Sequence, residues 1–220
     1  MTVLIVIAFF ALFVLIDYAR ARRAVVPDVE PIPAVETARE PVWVGGYLLP
    51  DELHYHRGHV WARPLERNHV LVGLDDFARR LIGSAKAVRL PAVGDWLRQG
   101  QASFTVDADG RVATLVAPVE GEVVEVNPEL RAHPELATTD PYGRGWLVKV
   151  RAGYIGENLR NLLSGRLARR WTEENREALD LRLMALSGSV LQDGGEPVAD
   201  FARHLPPEDW KRLAREFLLT

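Results

Sequence analysis

Three histidines, His54-x-His56-x-x-His59, have the one spacing in the chain that suggests a metal site. On a strand, positions 54 and 56 share a face, and two imidazoles there could hold zinc or copper. No carboxylate or cysteine completes a convincing ligand set locally, and His69, His133 and His204 are isolated. His54, His56 and His59 are therefore named as candidates, and the expectation is that no metal is bound. Asp75-Asp76 and Glu173-Glu174 are acidic pairs at helix beginnings, where a carboxylate favours the helix dipole; they are not spaced as an acid/base dyad. Asp107 and Asp109 stand just before Gly110 and suit turn chemistry better than calcium binding. There is no glycine-rich phosphate loop and no Ser-His-Asp arrangement with a supporting context. With no cysteine among 220 residues, thiolate metal sites, iron–sulfur ligation, disulfides and cysteine nucleophiles are excluded. A net charge of −3 and the lack of a Lys/Arg-rich run in the part expected to fold argue against nucleic acid. No catalytic residue, cofactor or small-molecule substrate emerges, so the chain reads as a non-enzyme.

The elements that would position these residues divide the chain into four parts. Residues 1–16 carry no charge, and with Asp17-Tyr18 the run is just long enough to span a bilayer, which takes about 17–25 residues. Arg20, Arg22 and Arg23 follow directly and no basic side chain precedes, unlike a cleaved signal peptide. Positive charge stays inside, so the expectation is a single-pass anchor in the cell (inner) membrane, with residues 1–18 in the bilayer, the N-terminus outside and the rest cytoplasmic. Residues 24–41 contain Pro27, Pro31, Pro33 and Pro41 and no apolar period, so they read as a tether. At about 3.1 Å per residue it could reach roughly 50 Å.

From Trp43 to Val150 the signals are mostly β, with one helix expected from Asp75 to a C-capping Gly83. Asp109-Gly110 predicts a two-residue hairpin turn. Counting outward pairs Ala108 with Arg111, Val106 with Ala113 and Phe104 with Leu115. From Gly153 the period becomes helical. Leu159, Leu162, Leu163, Leu167 and Trp171 are expected on one face, with Arg160, Arg166, Arg169 and Arg170 mostly opposite. A second helical run is expected from Ala178 to Leu186, then a turn over 192–197. Pro206-Pro207 opens a last helix with Trp210, Leu213, Ala214, Phe217 and Leu218 on one stripe.

Residues 53–150 resemble the H protein of the glycine cleavage system. The resemblance rests on Leu53-His-Tyr55, His59-Val-Trp61, Val72-Gly-Leu-Asp-Asp-Phe-Ala78 and Leu90-Pro-Ala-Val-Gly-Asp95. It continues in Ala117-Pro-Val-Glu-Gly-Glu-Val-Val-Glu-Val-Asn127, Pro134-Glu-Leu136 and Asp140-Pro-Tyr-Gly-Arg-Gly-Trp-Leu-Val-Lys149. It implies a flattened barrel of two small sheets, related to lipoyl and biotinyl domains. It also implies a carrier, whose lipoyl group on a hairpin lysine moves an aminomethyl unit between partner enzymes. Counting back from Ala117-Pro118, the family's Glu-Ser-Val-Lys falls on Asp107-Ala108-Asp109-Gly110, so Gly110 stands at the modified position. The lysines are Lys86, Lys149 and Lys211, none of them in the hairpin. Arg111 is no substitute, because a guanidinium stays protonated and is not acylated. The family's His-Glu-Trp is His-Val-Trp here.

The fold class expected is α+β: an N-terminal transmembrane helix (1–23 with its basic flank), a tether (24–41), an H-protein-like barrel-sandwich hybrid (42–152) and a helical extension (153–220). The function expected is a membrane-anchored, non-lipoylated scaffold or docking subunit with protein partners in a membrane complex. The alternatives are a pseudo-carrier that regulates lipoyl-dependent enzymes and a histidine-based metal module. Asp107, Asp109, Arg111, Trp171 and Trp210 are the candidate interaction residues.

Overall fold

A computed structural model describes residues 42–187 and 205–219. The expected anchor, the tether, the turn at 192–197 and His204 lie outside the described residues. Among the described residues no helix is long and apolar enough to cross a membrane.

The strands in chain order are β1 (Trp43–Val44), β2 (Tyr47–Leu48), β3 (His54–His56), β4 (Val60–Pro64), β5 (His69–Leu74), β6 (Ala87–Arg89), β7 (Trp96–Leu97), β8 (Ala102–Ala108), β9 (Arg111–Val116), β10 (Gly121–Val126) and β11 (Val148–Arg151). They build a six-stranded sheet, β3-β4-β5-β11-β10-β7, a three-stranded sheet, β6-β8-β9, and a small hairpin, β1-β2. Period-two alternation sends Val60, Ala62, Val70, Val72, Val123, Val148 and Val150 from the large sheet, and Phe104, Val106, Ala113 and Leu115 from the small one, into one core. The expected hairpin register is the observed one, Phe104↔Leu115, Val106↔Ala113 and Ala108↔Arg111.

The helices are α1 (Asp76–Ile82), α2 (Leu136–Thr139), α3 (Ile155–Arg160), α4 (Gly165–Ser187) and α5 (Pro207–Leu218). Asp75 caps α1 by accepting from Ala78 N–H at 2.8 Å, and Gly83 closes it at φ 83°. The helical region differs from expectation. Leu163 leaves the helix to bridge Tyr55, each N–H donating to the other's carbonyl at 2.8 Å. The helix restarts at Gly165, so α4 buries Ala168, Thr172 and Leu179 while Leu167 is 67% exposed. The two expected runs after that break are one continuous helix.

Pro207 opens α5, and its stripe of Trp210, Leu213, Ala214, Phe217 and Leu218 joins the core. Phe217 meets Phe77 at 5.2 Å, and Trp210 Nε1–H points to Leu81 O at 3.5 Å. Trp210 is thus 2% exposed inside the protein, which corrects its reading as a partner-facing residue.

Between β3 and β4 the chain turns sharply. His59 N–H donates to His56 O at 2.9 Å, Gly58 N–H donates to His56 Nδ1 at 3.0 Å, and His59 has φ 59°. The turn is wedged against the end of α5, since a Cβ on Gly58 would lie 3.0 Å from Leu218 O. Burial, followed by the charges of His59 and Arg57, pushes the His56 imidazole below its ordinary value.

Replacing Trp210 with alanine should destabilise the fold by about 3–5 kcal/mol, read as a lower denaturant midpoint; an unchanged midpoint would return Trp210 to the surface. His56 supplies an acceptor only when neutral. Its contribution is therefore full above pH ~6.5 and is lost as pH falls through the lowered folded-state value. His56→Asn keeps an acceptor for Gly58 and should flatten that acid-side loss in unfolding curves taken across pH.

Candidate functional site

The β8–β9 hairpin is held by its own chemistry. Asp109 and Gly110 have φ 54° and 83°, both positive as a type I′ turn requires. Asp107 Oδ1 accepts from Gly110 N–H at 2.8 Å, which closes the turn from the side chain. A Cβ placed on Gly110 would meet nothing within 4 Å, so the tip projects into open space. Arg111 reaches back from the tip and donates through Nη2 to Leu205 O at 2.9 Å, at the entry to α5. Of the candidate interaction residues, Asp107 is thus spent on the turn and Arg111 braces α5; Asp109 forms the turn itself.

Sequence reasoning missed a lysine that the sheet brings beside this tip. Lys86 N–H donates to Asp107 O at 2.7 Å and Ala87 pairs with Asp107, which sets exposed Lys86 level with Ala108 on the neighbouring strand. Nothing in the local sequence around Lys86 signals the β6–β8 pairing. Lys149 is bonded to Glu125 on β10, and Lys211 lies on α5 with Glu208.

The histidines do not converge. His59 is 1% exposed and lies flat between Phe77 (4.0 Å) and Trp171 (4.5 Å). Its Nδ1 bonds Asp75 Oδ2 at 2.8 Å, and its Nε2 faces Asn175 Nδ2 at 3.4 Å. His56 Nδ1 is taken by Gly58, and burial lowers the His54 imidazole below its ordinary value. Among the described residues no group of three His, Cys, Asp or Glu side chains could hold a metal ion. Trp171 is half-buried with its ring committed to His59, so it offers a partner only part of its surface.

Asp75 and Asp76 do more than favour a dipole. Asp76 accepts from Leu48 N–H at 3.0 Å and from Arg80 Nε at 3.1 Å, and pairs with Arg79. Its own N–H donates to Tyr142 Oη at 2.8 Å, and that hydroxyl donates on to Leu48 O at 2.8 Å. Burial pushes the Tyr47, Tyr55 and Tyr142 phenols well above their ordinary value, so they stay protonated donors. Through Leu48, Asp76 and Tyr142 the cluster ties β2, α1 and the segment after α2 together; Asp76 and Tyr142 are buried, while Arg79 at its edge stays partly exposed.

On the Arg-rich helical face, Arg169 pairs with Asp51 and Arg170 with Glu174, while Arg160 and Arg166 are exposed.

The sequence profile of the glycine cleavage H-protein matches residues 53–175. A probable glycine cleavage system H protein of Pyrococcus abyssi is 39% identical over 120 residues, covering 54% of this chain and 89% of the relative. The glycine cleavage system H protein of Mycobacterium leprae is 41% identical over 108 residues, covering 49% and 82%. The crystal structure of a glycine cleavage system H protein from Mycobacterium marinum superposes with a TM-score of 0.51 at 30% identity, over 58% of this chain and 98% of that one. The matched residues take in the large sheet, the hairpin and the His59–Asp75 contact, and end within α4. By the profile spanning more than half of its length, the chain belongs to the glycine cleavage H-protein family.

Proposed function

We propose that this chain is a membrane-anchored, non-lipoylated member of its family that serves as a docking subunit and not as a carrier. The observation that carries this reading is the hairpin tip. Gly110 occupies the position that the family resemblance assigns to the modified lysine, and the turn there is closed by Asp107 and Asp109. Lipoylation makes an amide on a side-chain amine, and the hairpin holds none; the neighbouring Arg111 guanidinium is not an acyl acceptor. The barrel itself does not need the missing side chain, because its core is filled from both sheets and from α5. What remains is a shaped, non-catalytic surface.

The apolar run at residues 1–16, with its arginines after it, supports attachment to the inner membrane with the folded part in the cytoplasm. A domain held in this way would dock proteins of an integral membrane complex.

The test is intact-mass measurement of the full chain made in cells with active lipoylation, followed by peptide mapping. The expected result is the unmodified mass. A lipoyl adduct on any lysine, Lys86 beside the tip above all, would overturn the reading. Recovery of lipoyl-dependent enzymes alone after mild-detergent purification would replace docking at the membrane with the pseudo-carrier alternative.

A further inference from the structure

The large sheet ends at β7, a strand of 2 residues on which the side chain of Trp96 is 59% exposed. On one side β10 pairs with it, Trp96↔Glu122 and Leu97↔Gly121, and among the described residues no strand pairs with the other. The ladder fixes the direction of the free groups. Val123 N–H donates to Asp95 O at 2.8 Å, so the bonds run through the residues that flank Trp96 and Glu122. In an antiparallel pair, residues between such bonds turn their N–H and C=O the other way. Trp96 therefore aims both backbone groups out of the sheet.

An unpaired edge is a template for another strand, and the residues bordering β7 select which one. Asp95 comes immediately before the strand and Arg98 immediately after it, both exposed. A copy of the same strand laid antiparallel brings the acidic end of each against the basic end of the other. Pairing through the outward groups of Trp96 sets the register: Trp96 faces its own counterpart, and Arg98 faces the second copy's Gly94. A Cβ on Gly94 would meet nothing within 4 Å, so the incoming Arg98 finds open space beside Asp95. Asp95 can receive it through Oδ1, because the loop uses Oδ2 to accept from Ala92 N–H at 2.8 Å. The other charges at this edge have counterparts within one copy. Glu120, just before Gly121, is level with Arg98, Glu122 pairs with Arg151, and Glu157 and Arg160 are one turn apart on α3. Only Asp95 lacks a cation, and the second copy supplies it.

We propose that β7 is a docking edge for a second copy of this chain, joining two large sheets into one across a two-fold axis at Trp96. Such a contact uses the same patch on both sides, and it sets the two exposed indoles opposite each other, a favourable cross-strand pair. A strand from another protein would meet the same backbone groups without the matched charges. The contact is short and belongs at the weak end of specific interfaces. Chains confined to one surface meet at a raised effective concentration, which favours it. The inference thus rests on the anchor reading above for its strength and not for its geometry. The β8–β9 hairpin belongs to the other sheet and takes no part, so the pair presents two tips and docks its partners bivalently.

The chain has no cysteine, so a single one reports the contact. The full chain with Trp96→Cys is placed in vesicles at rising surface density and oxidised. Across a hydrogen-bonded strand pair the Cα atoms lie about 5.5 Å apart, within disulfide range. The expected result is a disulfide-linked dimer that grows with density, while Val112→Cys, exposed on β9, stays monomeric. With Trp96 kept and a dye on Val112→Cys, two-step photobleaching counts the pairs. Arg98→Glu should lower association roughly ten-fold, as reversing two exposed ion pairs would. Adding Asp95→Arg to the same chain should restore it, with circular dichroism confirming that each variant is folded. Flotation reports the anchor separately. A chain that floats but stays uncrosslinked at position 96 overturns the pairing and leaves the anchor standing. One that crosslinks there without floating keeps the pairing and overturns the anchor, and one that does neither overturns both. Equal crosslinking at positions 96 and 112 marks random collision and overturns the pairing, and a folded charge-swapped chain that stays monomeric overturns the proposed register.

Discussion

The contact on which most of the structure converges is the hydrogen bond between His59 and Asp75. It joins the turn after β3 to the cap of α1, and the rings of Phe77 and Trp171 close over it from α1 and α4. Asp75 uses its second oxygen to cap α1, and its N–H donates to His59 O at 3.2 Å, so one residue fixes a helix start and a strand turn together. Taking an imidazole and a carboxylate out of water is costly. The cost is offset here because the donors and acceptors on both side chains are engaged and the rings pack face to face. The left-handed backbone of His59 is tolerated for the same reason: the surroundings over-determine it.

That arrangement makes the barrel independent of the hairpin tip. The tip is closed by positive φ at two residues and by Asp107, and its strands are held by alternating apolar pairs. None of these interactions involves a lysine. The tip stands outside the core, so the packing does not depend on which side chain it carries.

The parts legible in the sequence were those governed by local rules. The hairpin register followed from Asp109-Gly110 and period two, α1 from Asp75 and Gly83, and the α5 stripe from Pro207 and a 3.6-residue repeat. What escaped is long-range. His59 and Asp75 are 16 residues apart, and no local pattern announces their pairing. The β6–β8 register that brings Lys86 to the tip is invisible without the sheet. The bridge from Leu163 to Tyr55 spans more than a hundred residues; it ends one helical phase and starts another, which is why Leu167 points outward. The stripe containing Trp210 was correctly seen as apolar, but an amphipathic helix looks the same whether its own domain or a partner covers it.

The profile match ends at residue 175, so α5 and the second half of α4 lie beyond it. These segments nevertheless enter the same core as the barrel. Phe217 touches Phe77, α5 packs on β9, and Arg182 bonds Glu216 to tie α4 to α5. The hairpin is therefore braced from within the chain, by the α5 contact on β9 and by Arg111 at Leu205. A partner that gripped the α5-covered side of β9 would have to displace five buried apolar side chains. The bracing leaves the hairpin tip uncovered at Gly110, since a Cβ there would meet nothing within 4 Å. The extension thus serves less as a separate module than as the element that decides which faces of the barrel remain available.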